Sequence, residues 1–390
     1  MRRCQRRVVI IRMRPKEKAR VRGAITATLK DYSIALLQQG LHRQRRVSDE
    51  GLINFSSNDY LSLTSDLRIK KAYQQGFEKY PTGSGGSMVV CGYHTAHQAL
   101  EKAFATALKV DDCILFSSGY AANLSVTALL ASSNSHILID KNVHASIYDG
   151  LRLVNASYSR YLHNNTADLA LKIKKSPTNT VIMTESTFSM SGQCAPLSDI
   201  AQLGCNVIVD EAHAFGIFGE QGLGAVAQHQ LTQTEIPLRV IPLGKAFGGS
   251  GAVVAGHGVW IDALLQVARA HTYSTAPSPA MAYGLLKTLD VVMAADERRA
   301  KLTSLVEYFR AAVNRSSLKW RDSLSPIQQL HLGCPHRAMH VADKLREQSI
   351  VCLPMRSPTV SKQETGLRVI LNYHHEPEQI DTLFKCLHQS

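Results

Sequence analysis

Apolar positions change rhythm twice along the chain. Ile25, Leu29, Tyr32 and Leu36 recur at helical spacing, and Gly40 supplies a stop, so a helix is expected over 25–39. Further on, short apolar runs stand at 114–116, 137–139, 181–183, 207–209, 240–243 and 252–255, each followed by polar or glycine-rich residues. Helical stretches such as 97–108 and 169–175 lie among them. Buried strands alternating with helices predict an α/β fold, a mostly parallel sheet with helices on both faces. The final third differs. A long helix is expected over 280–313, with a charged patch at 296–301. Strand-like pieces at 327–332, 351–354 and 367–371 and helices at 337–348 and 377–388 then predict a smaller α+β domain. Pro277 and Pro279 mark a break before it. The expected division is a basic, disordered tail (1–22), a helix and arm (23–55), a large domain (56–278) and a small domain (279–390).

Length agrees: 390 residues suggest two domains or three, and 45% hydrophobic residues exclude wholesale disorder. No apolar run approaches the roughly 20 residues of a membrane helix. The net charge of +13 first suggests nucleic acid or an acidic partner. Yet residues 1–22 hold ten Lys/Arg against one acid, so the remaining body is only mildly basic. The tail's one apolar run, 8–11, is too short for a signal peptide, and a cytoplasmic location is expected. No two of the eight cysteines stand at C-x-x-C spacing, so no metal site is expected.

Four clusters follow apolar strands, where open α/β sheets place ligands. Ser118-Gly119-Tyr120 opens a helix whose first N–H groups suit an anion. His144 follows the run at 137–139. Asp210-Glu211-Ala212-His213 places a carboxylate where it meets a cation. That string is also the DEAH box of nucleic-acid motors, the distant alternative. A motor needs a P-loop, and Arg239 and Ala246 stand where Gly and Ser or Thr are required around Gly244-Lys245. Lys245, among small residues after the run at 240–243, has the setting of an amine with a lowered pKa. Lysine, strand-end Asp, imidazole and phosphate-capable helix start are together the inventory of a pyridoxal phosphate enzyme.

The ordered strings Asn58-Asp59-Tyr60-Leu61, Gly83-Ser84-Gly85-Gly86-Ser87, His97-Gln98-Ala99-Leu100-Glu101, Ser118-Gly119-Tyr120, Thr184-Glu185, Phe188-Ser189-Met190, Asp210-Glu211-Ala212-His213, Gly244-Lys245-Ala246-Phe247-Gly248 and Tyr273-Ser274-Thr275 resemble the α-oxoamine synthases. These belong to the type I, aspartate aminotransferase-like, pyridoxal phosphate fold, and the likeness runs from about residue 40 to the C-terminus. It implies that Lys245 bonds the cofactor and acts as general base. Asp210 would meet the ring nitrogen, His144 stack on the ring, and His213 and Ser189 reach its phenolic oxygen. Gly119 and Tyr120 would hold the phosphate, with Ser274 and Thr275 from the second subunit of a homodimer. Arg356 resembles the arginine that takes the amino-acid carboxylate, and Arg43, Asn58 and Thr359 fall at substrate-contacting positions. Cys91-Gly92-Tyr93, His163-Asn164 and Ser325-Pro326-Ile327-Gln328 most resemble the member that condenses L-alanine with a pimeloyl thioester, carried by CoA or acyl-carrier protein, in biotin biosynthesis. The alternative is another member, such as the one joining glycine to acetyl-CoA. Neither nucleic acid nor membrane is an expected partner. Two departures stand out: Pro242 replaces a phosphate-contacting Thr, and Phe215 is expected to narrow the pocket.

Overall fold

The computed structural model describes residues 15–47, 51–357 and 359–389. The chain opens with α1 (Pro15–Gln38), β1 (Ile53–Asn54), α2 (Leu67–Lys79) and α3 (Thr95–Leu108). Strands and helices then alternate: β2 (Asp112–Phe116), α4 (Gly119–Ser132), β3 (His136–Asp140), α5 (Ala145–Leu153), β4 (Tyr158–Tyr161), α6 (Thr166–Ile173), β5 (Thr180–Glu185), α7 (Leu197–Ala201), β6 (Asn206–Asp210), α8 (Ala225–Gln228), β7 (Leu238–Pro242), β8 (Ala252–Gly256) and α9 (Gly258–Val267). After α10 (Arg269–Thr272), α11 (Pro279–Met293) and α12 (Asp296–Asn314) come β9 (Ile327–His331), α13 (Pro335–Glu347), β10 (Ile350–Val351), β11 (Leu353–Met355), β12 (Gly366–Ile370) and α14 (Pro377–His388).

The central sheet has seven strands in the order β2-β8-β7-β6-β5-β3-β4. Neighbours from β7 to β4 are parallel, and β8 runs against both β2 and β7. Its inner strands are covered on both faces, which is why they read as unbroken apolar runs: Val207, Ile208 and Val209 are fully buried. Since β2, β3, β5, β6 and β7 run the same way, their carboxyl ends and the residues that follow share one edge. An antiparallel sheet, β11-β12-β9, and a parallel pair, β1-β10, complete the molecule. The β1 pairing ties the N-terminal arm to the C-terminal part of the chain.

Three expectations are corrected, and one strand had none. The tail expected to be disordered over 1–22 is helical from Pro15, where α1 begins. Pro pre-sets the first helical position, and Lys, Glu, Ala and Arg are good helix formers. Residues 1–14 lie outside the described part. The long helix expected over 280–313 is two helices, α11 and α12. Arg299 ends the first: its guanidinium donates to the carbonyls of Val292 at 2.7 Å and Met293 at 2.9 Å, satisfying acceptors at the helix end. The piece at 351–354 splits between β10 and β11, which pair in different sheets. Finally, β4 gave no apolar run because it is an edge strand with only Tyr161 buried.

Replacing Arg299 by Met keeps the bulk but leaves those carbonyls without a charged donor. Chemical denaturation of Arg299→Met is expected to show a loss of about 2–3 kcal/mol. A loss under about 0.5 kcal/mol, the scale of ordinary surface changes, contradicts the capping role.

Candidate functional site

The parallel edge gathers two carboxylates. Glu185 ends β5, Asp210 ends β6, and the two are register partners. Both are buried, 1% and 3% exposed. Asp210 Oδ2 accepts from Asn123 Nδ2 at 2.8 Å, and Oδ1 accepts from the Ala212 N–H at 2.9 Å. The same Asn123 amide reaches Ser146 Oγ at 3.0 Å, and Ser146 Oγ lies 2.8 Å from His144 Nδ1. A polar chain thus runs from β6 through α4 to the start of α5. Glu185 Oε2 accepts from the Ser189 N–H at 3.1 Å.

Lys245 arrives on a tight loop after β7. Leu243 and Gly251 close the loop by a 2.9 Å backbone bond, and Gly248, at φ +71°, turns back onto the Lys245 carbonyl at 2.8 Å. Lys245 is half-buried as a residue but its amine lies at the buried inner end: Nζ stands 3.0 Å from His213 Nε2, and His213 Nδ1 stands 2.6 Å from the Tyr60 hydroxyl. Burial pushes the Lys245 amine down to about 8, with the Asp210 and Glu185 carboxylates opposing and Arg368 reinforcing the fall. Burial, then Lys245 and Arg368, holds His213 well below its usual range, so its imidazole is neutral. Arg368 comes from β12 and is itself 5% exposed. It donates to Asn58 Oδ1 at 3.1 Å, which also accepts from the Tyr60 hydroxyl at 3.2 Å. Burial raises the Tyr60 hydroxyl to about 12, although Arg368 pulls it down.

The expected residues divide into groups. Lys245, His213, Asp210, His144, Ser189 and Asn58 belong to or adjoin this cluster. Gly119 and Tyr120 open α4 beside it, where Ser118 Oγ accepts from the Ala121 N–H at 3.1 Å. Pro242 packs there: a Cβ on Gly119 would lie 2.6 Å from Pro242 Cγ. Ser274 and Thr275 are exposed on the loop after α10, away from any bond to the cluster. That loop is pinned by the Ala276 N–H on the Gly86 carbonyl at 2.9 Å. Arg43 reaches Thr359 Oγ1 at 3.4 Å, and Arg356 donates to the Gly40 carbonyl. Burial and then Arg43 lower the proton affinity of Arg356. Arg356 lines a cleft of about 570 Å³ together with His42, Arg46, His336 and Arg346.

Phe215 does not narrow the pocket. It is 3% exposed, with ring centroids 5.9 Å from Phe104 and 6.2 Å from Phe247, so it fills the core beneath the lysine loop. Tyr60, Asn123, Glu185 and Arg368 were given no role from sequence. A charge closing or interrupting an apolar strand was the available signal for Glu185 and Arg368.

A buried lysine, two strand-end carboxylates, a neutral imidazole and an open helix N-terminus on one sheet edge define a fold-type I pyridoxal phosphate enzyme. The chain belongs to the aminotransferase class I and II family, whose model matches residues 50–387, and within it to the α-oxoamine synthases. It is similar to 8-amino-7-oxononanoate synthase of Pseudomonas savastanoi pv. phaseolicola, 37% identical over 358 residues, or 91% of this chain and 90% of that protein. The crystal structure of the Francisella tularensis 8-amino-7-oxononanoate synthase is 33% identical with a TM-score of 0.79, covering 87% of this chain and 98% of that one. A serine palmitoyltransferase structure with pyridoxal phosphate is 25% identical, TM-score 0.84, covering 93% and 96%.

The residues present fit that cofactor. Asn123 Oδ1 is buried beside Asp210 without a hydrogen-bond partner among the described residues. The Gly119 and Tyr120 N–H groups, ahead of the first helical bond of α4, suit a phosphate. Among the described residues no group of His, Cys, Asp or Glu could hold a metal, and no helix is long and apolar enough to cross a membrane.

In Gly119→Ala the added methyl collides with Pro242 and distorts the helix start. Fluorescence titration is expected to show pyridoxal phosphate bound about tenfold more weakly, equivalent to the low end of an overpacking penalty. Unchanged affinity contradicts the placement of the phosphate there.

Proposed function

We propose that this protein catalyses the decarboxylative condensation of L-alanine with a pimeloyl thioester, giving 8-amino-7-oxononanoate, CO₂ and the free thiol. The observation that carries the catalytic part is the buried Lys245 amine, lowered to about 8 and facing a neutral His213. The choice of alanine and pimeloyl thioester is supported by the named relatives, which match about nine-tenths of the chain.

Asp210, held in place by the Asn123 amide and the Ala212 N–H, would meet the ring nitrogen of pyridoxal phosphate. His144 would cover the ring face, and His213 and Ser189 would meet its phenolic oxygen. Gly119 and Tyr120 would hold the phosphate, and Pro242 would shape that end without supplying a hydroxyl. When bound, the cofactor supplies an electron sink for a carbanion at the amino-acid Cα. Lys245 Nζ takes the Cα proton and later returns one, which an amine with a pKa near 8 does readily close to neutral pH. The carboxylate role expected of Arg356, which instead donates to the Gly40 carbonyl, is one we assign to Arg368, a buried guanidinium beside Asn58 whose Nε has no partner among the described residues. Arg356 lines the cleft, with Arg43, bonded to Thr359, close enough to act on it, and this cationic setting suits the anionic end of the donor, CoA or an acyl-carrier protein.

A homodimer is part of the proposal. Val90, Tyr93, Tyr120 and Tyr273 are exposed by 45% or more, and the loop at 83–93 is pinned to the loop carrying Ser274 and Thr275. A second copy covering these side chains would bring its Ser274 and Thr275 to the phosphate. The site would be cytoplasmic and its product would feed biotin biosynthesis.

A substrate panel tests the assignment. L-alanine, glycine and L-serine are each paired with pimeloyl-, acetyl-, succinyl- and palmitoyl-CoA, and product mass is read. Alanine with pimeloyl-CoA is expected to exceed every other pair in kcat/KM by at least about tenfold. Preference for glycine with acetyl-CoA overturns the reading in favour of another α-oxoamine synthase. The lowered amine gives a second expectation. The rate at which apoprotein captures pyridoxal phosphate should rise about tenfold per pH unit below pH 8 and level off above it. A rise continuing to pH 10 means an unperturbed lysine.

A further inference from the structure

Asp210 has a carboxylate neighbour for which the mechanism has no use. Glu185 is its register partner on β5, and both side chains are buried. Two like charges at partnered positions of adjacent strands, in a site of low dielectric, do not both ionise readily, and one proton is retained. Hydrogen bonding decides where. Asp210 accepts at both oxygens, from Asn123 and from the Ala212 N–H. Glu185 accepts from the Ser189 N–H at Oε2 and faces the His144 backbone N–H, while its Oε1 is buried without a hydrogen-bond partner among the described residues. An ionised oxygen buried with no donor is far costlier than a protonated one.

We propose that Glu185 keeps its proton, on the unpartnered Oε1, and serves as a positioning residue that leaves Lys245 facing one ionised carboxylate instead of two. The groups facing Glu185 are Asp210 from β6, Lys245 from the loop after β7, Arg368 from β12 and His144 before α5, the last through its backbone N–H. Burial, then the Asp210 charge, pushes Glu185 up to about 8, against the pull of Lys245 and the backbone donors. An ionised Glu185 would strengthen the hold of Lys245 on its own proton. Retaining the proton therefore keeps the Lys245 amine available at neutral pH. Only this last consequence rests on the proposed function, since the ionisation is a property of the chain.

The test is pH-difference infrared spectroscopy of the pyridoxal phosphate-loaded protein without substrate. The wild type is expected to show a protonated-carboxyl C=O band at pH 7 that is lost as pH rises through about 8, and Glu185→Gln is expected to lack it. Asp210→Asn, which removes the like charge, is expected to move that loss down by about one pH unit or more. Kinetics supply a second arm. After scaling, the acid limb of kcat/KM for Glu185→Gln should superimpose on the wild type, and only the alkaline limb should change. A band absent from the wild type, or surviving in Glu185→Gln, overturns the proposal. So does an acid limb displaced to lower pH, which would mean an ionised Glu185 throughout. If Glu185→Gln does not fold, the Asp210→Asn shift decides. Failure of turnover with alanine and pimeloyl-CoA would count against the function and leave the infrared result standing.

Discussion

Everything at this site depends on keeping one lysine amine out of water among charges the fold holds still. An exposed lysine is protonated at neutral pH and is neither nucleophile nor base. Lys245 is brought near neutrality by burial, and the fold controls how far, through Asp210, Glu185 and Arg368. Those groups come from different elements: two adjacent parallel strands, a loop after a third, and a strand of the smaller sheet. Parallel strands supply the common edge, because their carboxyl ends lie together and need no loop to converge. The smaller sheet supplies the guanidinium that offsets the acids. The site therefore exists only when both sheets are formed and packed.

This explains which parts were legible in the sequence. The strands ending at Asp210 and Pro242 are buried on both faces, so they appear as apolar runs, and the residues just beyond them are readable as candidates. Lys245, Asp210, His213 and His144 all stand in that position. Tyr60 and Arg368 do not. Each reaches the cluster through tertiary packing from the far ends of the chain, and no local pattern encodes the 2.6 Å contact between Tyr60 and His213. Glu185 was visible as a polar residue closing a strand, but its register with Asp210 is a property of the sheet. The break between α11 and α12 was hidden for a similar reason. Arg299 caps one helix from the next, and it also reaches the Gly216 carbonyl at 3.3 Å, 83 residues away.

Substitutions that looked threatening from sequence have distinct physical fates. Phe215 turns inward to join an aromatic group with Phe104 and Phe247, so its bulk supports the lysine loop from below. Pro242 ends β7 with its ring against Gly119. It trades a hydroxyl for rigid shape complementarity at the start of α4. The concentrated positive charge of residues 1–22 lies outside the stretch that the family model matches. Arg46, Arg346 and Arg356 line the cleft, a setting that suits an anionic group.

Borohydride reduction of the pyridoxal phosphate-loaded protein, followed by peptide mass mapping, tests the central claim most directly. A buried amine tuned by its surroundings predicts one pyridoxyl label per chain, on the peptide carrying Lys245. A label on any other lysine, or spread across several exposed ones, would contradict it.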